Sequence, residues 1–501
     1  MNSNLSGSFS AERLGELFLY RPEEPLLFST GFFFFLFTGF LIIFLSLRKH
    51  TPARLLYVTL FSLYFYYKTS GLCFLLLLFT ATSDFLIAHA LFAARTKRWK
   101  KAWVALSVCI NLGMLGYFKY AGFLYNLGVM CLQHTGAWLG IPSLASLTYT
   151  TVDIFLPVGI SFFTFQSLSY TLDIYRGRLL PLNRWIGYLF YISFFPGLVA
   201  GPIVRARDFI PQMYRTPALS REHLGEGLFL IICGLLKKCV ISDYLSLNLV
   251  DRVFDAPALY TGVENLLGVY GYALQIYCDF SGYSDMAIGI ALWLGIRFRA
   301  NFDSPYQSAT ITEFWRRWHI SLSTWLKDYL YIPLGGNRKG RFRTYLNLIL
   351  TMLLGGLWHG AALRFILWGG LHGLGLALHK WVMKHFPGFR KEGAEMTPLR
   401  RVCGVILTFH LVCFGWIFFR ADSLRTAFDI LRQIATRFYP EVFPQFIESY
   451  PVVFLLLLSG YLIHFIPKRF DLHLQQAVIQ SPVMLQALYL MIAVFLVAQA
   501  K

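Results

Sequence analysis

Charge is scarce in this 501-residue sequence: Asp, Glu, Lys and Arg together make up 14%, against about a quarter in an average soluble domain. That deficit, with 56% hydrophobic and 18% aromatic residues, excludes an ordinary soluble globular protein and points to a polytopic membrane protein. Acidic residues are the rarer sign, 26 against 45 basic, which leaves a formal charge of +19. Such an excess could serve nucleic acid, but the basic residues fall largely in short loops between apolar runs, which is the positive-inside pattern of membrane topology. The eight cysteines show no C-x-x-C spacing, so neither a zinc site nor a disulfide framework is indicated. They read as small buried hydrophobes. No internal repeat appears, so the inverted-repeat plan of many transporters lacks support. No G-x-S-x-G or Cys/His signature marks a covalent nucleophile. The first 28 residues hold Glu12, Glu16, Glu23 and Glu24 and no basic region leading into an apolar core. A cleavable signal is therefore not expected, and the first hydrophobic helix is expected to stay as a span.

What is present is a series of apolar runs. Residues 29–47 carry no charge and are long enough to cross a hydrocarbon core. Arg48, Lys49 and Arg54 follow at once, which places the N-terminus outside and this loop in the cytoplasm. Runs 55–67 and 71–93 turn at Lys68 to Gly71, and a basic cluster from Arg95 to Lys101 returns the chain to the cytoplasm. Asp84 inside the third run is expected to make an interhelical hydrogen bond. Between 102 and 152, Lys119, His134 and several glycines break the hydrophobicity, predicting one span and an irregular or interfacial segment, with His134 in an exposed loop.

Farther on, Pro157 and Gly159 open a helix with Ser161, Thr164, Gln166, Ser167, Ser169 and Thr171 among phenylalanines. One face is too polar for lipid and should line a seam or cavity. Pro196-Gly197 and Gly201-Pro202 break a run at membrane depth, which is tolerated only inside protein or beside a water-filled space. A span near 224–241 ends in Lys237 and Lys238. The run 262–296 carries Asp279 and Asp285, with Ser281-Gly282 between them as a possible interruption. Spans near 402–419, 452–466 and 483–499, with an amphipathic stretch at 421–450, complete the chain.

The rest is organised around residues 301–373, which hold two polar patches, Trp315-Arg316-Arg317-Trp318-His319 and Trp358-His359-Gly360. A histidine at membrane depth costs free energy unless it faces a cavity or a partner, so each is a functional-site candidate. His319 and His359 lie 40 residues apart and on separate helices could converge on one substrate. Arg316 and Arg317 offer fixed charge and planar donor forks. The bland alternative is a packing histidine with arginines that snorkel to the interface. The basic loop Leu334 to Arg341 lacks Walker spacing. Runs 345–358 and 361–378 form an outward and a returning span, and Gly356/Gly360 and Gly369/Gly373 have the G-x-x-x-G spacing of close helix contact. His372 and His379 on the returning span read as structural or interfacial.

FWRRWHISLSTWLKDYLYIPLGGNRKG with LLGGLWHG resembles the signature of the membrane-bound O-acyltransferase family, in particular its bacterial branch with the alginate O-acetyltransferase membrane subunit and the teichoic acid D-alanyl transferase. The blocks at 156–177, 194–212 and 279–296 resemble it too, so the likeness covers about 155–375. The resemblance implies an all-α polytopic fold with about 11–13 transmembrane helices plus re-entrant or interfacial helices around a central tunnel. It divides the chain into an N-terminal extracytoplasmic segment (1–28), N-terminal spans (29–155), a catalytic core (156–380) and C-terminal spans with a cytoplasmic loop (381–501).

By the same resemblance, His359 is the general base and His319 the second histidine near the reaction centre. A neutral imidazole suits the removal of an alcohol proton. Arg316 and Arg317 are expected to hold the polar end of the donor and Trp315, Trp318 and Trp358 to form walls; Asp279, from its own surroundings in the sequence, reads either as a substrate contact or as a turn residue with local side-chain hydrogen bonds. The implied donor is acetyl-coenzyme A or another acyl thioester, drawn electrostatically to a basic cytoplasmic mouth. No bound cofactor, metal or nucleic acid is expected. The implied acceptor is an extracytoplasmic polysaccharide, with an extracytoplasmic acetyltransferase as partner protein and the bacterial inner membrane as the setting. The competing readings are a transporter or flippase for a lipid-linked sugar, and an inactive scaffold that recruits a secreted partner.

Overall fold

The computed structural model describes residues 15–148, 155–386 and 396–500, and among them every regular element is helical. The chain divides into two units, one of residues 1–118 and 153–217, the other of 119–152 and 218–501.

In the first unit the apolar run becomes helix Gly31–Leu47, whose start is capped by the Thr30 hydroxyl accepting from the Phe33 amide. Phe33, Phe37, Phe40 and Phe44 recur at helical spacing and are all buried, each ring about one turn from the next, 5.3 to 6.0 Å between centroids. Phe35 and Ile42 face outward, as lipid-facing positions do. Helices Thr51–Ser70 and Phe74–Ala93 meet at Gly71, which adopts φ +59° against the Tyr20 ring and so requires glycine. The expected interhelical bond of Asp84 is a full cluster. Its carboxylate, 0% exposed, accepts from Ser107 at 2.6 Å, from Asn111 at 2.7 Å and from Ser167.

Ser167 belongs to the polar helix, Ile160–Tyr175, whose Thr164, Ser167, Ser169 and Thr171 are buried in the seam foreseen for them. The broken run at 195–202 is packed within protein: a side chain at Gly159 would strike the Leu198 carbonyl, and one at Gly201 the Pro196 carbonyl.

The stretch expected to be irregular is more regular than its composition suggests. Helix Lys97–Leu115 runs through a π-helical turn, Gly116–Tyr120, into helix Ala121–Leu139. His134 is exposed as expected, but on that last helix and not in a loop. The glycines there cost helix propensity without breaking the hydrogen-bond ladder. Residues 149–154 lie outside the described residues.

In the second unit helix Arg221–Leu235 and the π-helical turn Leu236–Ser242 pack along Gly262–Trp293, a 32-residue helix that begins with a Thr261/Glu264 capping box. Ser281-Gly282 does not interrupt it. The glycine serves contact instead, since a Cβ on Gly282 would lie 2.8 Å from the Gly234 carbonyl. Asp279 and Asp285 therefore sit on different faces of one continuous helix and take different lysines, Lys238 at 2.5 Å and Lys237 at 2.7 Å.

Helices Arg341–His359 and Leu363–His385 form the glycine seam that the spacing predicts. A Cβ on Gly356 would meet the Phe365 carbonyl, one on Gly369 the Met352 carbonyl, and one on Gly373 the Ile349 Cα at 2.8 Å. The basic, polar stretch Lys380–Arg401, which reads as a cytoplasmic loop, is helical up to His385 and again from Pro398, and residues 387–395 lie outside the described residues. Pro398–Arg420, the amphipathic Leu424–Thr436 with Ala427 and Ile430 turned inward, Pro451–Phe465 and Val483–Ala500 follow. A helix not foreseen, Lys468–Gln480, intervenes and buries only Ile479.

Among the described residues, four helical stretches are long and apolar enough to cross a membrane by length and composition: Thr51–Ala93, Lys97–Leu139, Pro398–Arg420 and Val483–Ala500. A fifth is the pair Val442–Ser449 and Pro451–Phe465, bent by 99°, if it forms one span. This count is below the expected 11 to 13 for two reasons. Each of the first two stretches is 43 residues long and joins two helices, while the apolar helix Gly31–Leu47 has only 17 residues.

Candidate functional site

His319 stands at a break in the chain. It separates helices Ile311–Arg317 and Ile320–Leu326 and has φ +43°, which is rare for a residue with a side chain. Asn301 holds the break together. Its carbonyl accepts from the Ile320 amide at 2.9 Å, and its Oδ1 takes the Ser321 amide at 3.1 Å, the Ser321 hydroxyl at 2.9 Å and His319 Nδ1 at 3.2 Å. The imidazole is 1% exposed and faces the Phe280 ring edge-on at 4.6 Å.

His359 is the last residue of helix Arg341–His359, and Gly360 beyond it is extended. The half-buried imidazole is framed by Trp358, Trp368 and Phe419, with ring centroids at 4.9, 5.2 and 5.1 Å. The π-helical turn supplies the donors that the end of this helix lacks. Tyr120 donates to the Leu357 carbonyl at 2.7 Å, and Lys119 donates to the Trp358 carbonyl while its ammonium lies 5.6 Å from the Trp358 ring.

The two imidazoles thus meet at one indole. The Trp358 centroid is 6.2 Å from that of His319 and 4.9 Å from that of His359. Trp315 lies farther round, where its indole N–H donates to His372 Nδ1 at 3.3 Å. Trp318 is buried between Phe302, Phe314 and Trp416. Arg317 pairs with Glu313 at 2.8 Å and donates to the Asp303 carbonyl at 3.3 Å, whereas Arg316 is exposed. Asp279 is held by Lys238. Of the residues singled out by sequence, the structure brings together His319, Trp358 and His359. Arg317 and Asp279 are engaged in ion pairs.

The sequence pattern of the membrane-bound O-acyltransferase family matches residues 184–419. The "Probable alginate O-acetylase AlgI" of Pseudomonas aeruginosa is 42% identical over 422 residues, which cover 83% of this chain and 75% of that protein. The chain belongs to the membrane-bound O-acyltransferase family. A peptidoglycan O-acetyltransferase of Helicobacter pylori is 34% identical, over 81% of this chain and 79% of its own. A teichoic acid D-alanyltransferase of Bacillus subtilis is 30% identical, over 52% of this chain and 68% of its own.

As a member of this family the protein is a multi-pass membrane acyltransferase, and it uses an acyl donor. The transporter alternative finds no support in these relatives. The matched region contains both histidines and the helices that carry them. It also contains residues that sequence reasoning passed over. Asn301 was visible only as the polar residue that opens the stretch, and Trp368 and Phe419 only as members of apolar runs. Lys119 lies outside the matched region and was read merely as a break in hydrophobicity.

Proposed function

We propose that the protein transfers an acetyl group from acetyl-coenzyme A, or another acyl thioester, at the cytoplasmic face of the bacterial inner membrane to hydroxyls of an extracytoplasmic polysaccharide. The Pseudomonas aeruginosa and Helicobacter pylori relatives are named for O-acetylation, and the D-alanyltransferase matches less well and over less of the chain. An alginate-like acceptor is favoured by the same order of identity. In this reading residues 156–380 form the catalytic core, the N-terminus is extracytoplasmic, and a separate extracytoplasmic acetyltransferase acts with the chain on the polymer.

The observation that carries the reading is the convergence of His319 and His359 on the Trp358 indole. His359 acts as general base: it takes the proton of the acceptor hydroxyl as the oxygen attacks the thioester carbonyl, the C–S bond breaks, and the imidazolium returns the proton to the departing thiolate. His319 is the second histidine at the reaction centre. Trp358, with Trp315 and Trp318 behind it, walls a passage along which donor and acceptor meet from opposite faces. Arg316 and Arg317 hold the polar end of the donor, and Asp279 contacts substrate from its pairing with Lys238.

The test is thiol release from acetyl-coenzyme A by the purified full-length protein. Loss of a general base lowers the rate by roughly 10² to 10⁴, so His359→Ala should be nearly inactive at normal membrane levels. Near-normal turnover in that variant would refute the assignment. Mass spectrometry of surface glycans from a deletion strain then identifies the acceptor.

A further inference from the structure

The hydrogen bonds around Asn301 fix more than the kink. Its Oδ1 receives the Ser321 backbone amide, and a backbone N–H can only donate, so the atom in that position is the carbonyl oxygen of the side chain and not its nitrogen. The opposite end agrees, because the Asn301 Nδ2 donates to the Ser284 hydroxyl at 3.2 Å. His319 Nδ1 lies 3.2 Å from the same oxygen and must therefore carry the proton. In a neutral imidazole this leaves the lone pair on Nε2. That nitrogen is buried and, among the described residues, has no hydrogen-bond partner.

We propose that Asn301 is a positioning residue that locks His319 in its Nδ1–H tautomer. Only the Nε2 lone pair is then offered to substrate. His319 receives a hydrogen bond from a second hydroxyl of the acyl acceptor, beside the one whose proton His359 takes, and it does not donate one to the oxyanion that forms on the thioester carbonyl. The left-handed backbone at His319 supports this, since such strain persists only where the surroundings enforce it, and here Asn301 supplies the enforcing contacts from both its main chain and its side chain. The inference rests on the reading of His319 as part of the reaction centre.

Asn301→Leu and Asn301→Asp separate the roles. The main-chain carbonyl that braces the kink survives in both, and a carboxylate can still accept from Nδ1–H whereas the leucine side chain cannot. With acetyl-coenzyme A as donor, Asn301→Leu should lose turnover by ~10²-fold, the scale of a misplaced catalytic group, with KM little changed. Asn301→Asp should recover most of that loss. Wild-type kcat in the leucine variant, or equal inactivity of both variants while both are folded by thermal unfolding, overturns the proposal. Should the leucine variant fail to fold, the aspartate variant decides by its turnover alone. His319→Ala tests the underlying reading separately: wild-type turnover there removes His319 from the reaction centre, whereas an inactive His319→Ala beside fully active Asn301 variants removes only the tautomer lock.

Discussion

Trp315 donates its indole N–H to His372 Nδ1 across 3.3 Å, and His372 in turn packs against Trp368, the ring that lies edge-on to His359. The chain of contacts Trp315–His372–Trp368–His359 makes the returning helix a support for the candidate base. A side chain on Gly415 would come within 3.0 Å of His372 Nε2, so the imidazole is wedged from a third side. Trp315→Phe keeps an aromatic ring, a smaller one, and removes the donor, leaving Nδ1 unsatisfied in a buried place. The expected cost is about 1–3 kcal/mol, read as a lower unfolding midpoint in detergent, with turnover within several-fold of wild type. A large loss of turnover at unchanged stability would assign the indole N–H to substrate instead.

Lys119 is an ammonium in the π-helical turn Gly116–Tyr120, and it is directed at the Trp358 carbonyl, one residue before His359. A cation at a helix C-terminus satisfies a carbonyl and complements the helix dipole. Lys119→Met preserves length and apolar packing but leaves that carbonyl bare. The end of the helix that carries His359 should then loosen, and a shift of about 1 Å in a reacting group costs ~10²-fold in rate. The expected result is a drop of that order in kcat for thiol release from acetyl-coenzyme A, with KM nearly constant. Wild-type kcat would show that the ammonium serves stability only.

Much of this site is legible in the sequence because it depends on residue types that are costly at membrane depth. His319 and His359 announce themselves by that cost, and Gly356 and Gly369 by their spacing. Asp84 is legible for the same reason, although its three donors come from helices that no local pattern connects. Asn301 and Lys119 are different. Their importance lies in which partner each one reaches, 18 and 239 residues away in sequence, and nothing in the local pattern encodes that. The continuity of helix Gly262–Trp293 through Ser281-Gly282 was hidden likewise, since a glycine that breaks a helix and one that admits a neighbour read alike until the neighbour is seen.

The glycine seam between Arg341–His359 and Leu363–His385 yields a prediction about geometry. Gly369 faces the Met352 carbonyl so closely that any Cβ there must push the helices apart. Gly369→Val should cost about 1–3 kcal/mol as overpacking. It should also impair turnover more than a stability loss of that size explains, because the displaced helix is the one that ends in His359. Ordinary turnover per folded molecule would show that the seam and the site move independently.

Asp84 allows a sharper separation of structure from function. Its carboxylate is fully buried with Ser107, Asn111 and Ser167 as donors, and Tyr188 joins through Ser167 at 2.9 Å. The cluster is satisfied by neutral groups, which marks it as a tie between helices of the first unit. Asp84→Leu orphans these donors at about 1–3 kcal/mol each, enough to abolish folded protein or reduce it sharply. Asp84→Asn keeps the volume and one acceptor oxygen, and it should restore much of the yield with wild-type turnover per folded molecule. If Asp84→Asn instead unfolds at the wild-type midpoint but fails to release thiol from acetyl-coenzyme A, the carboxylate is part of the reaction and the structural assignment is wrong.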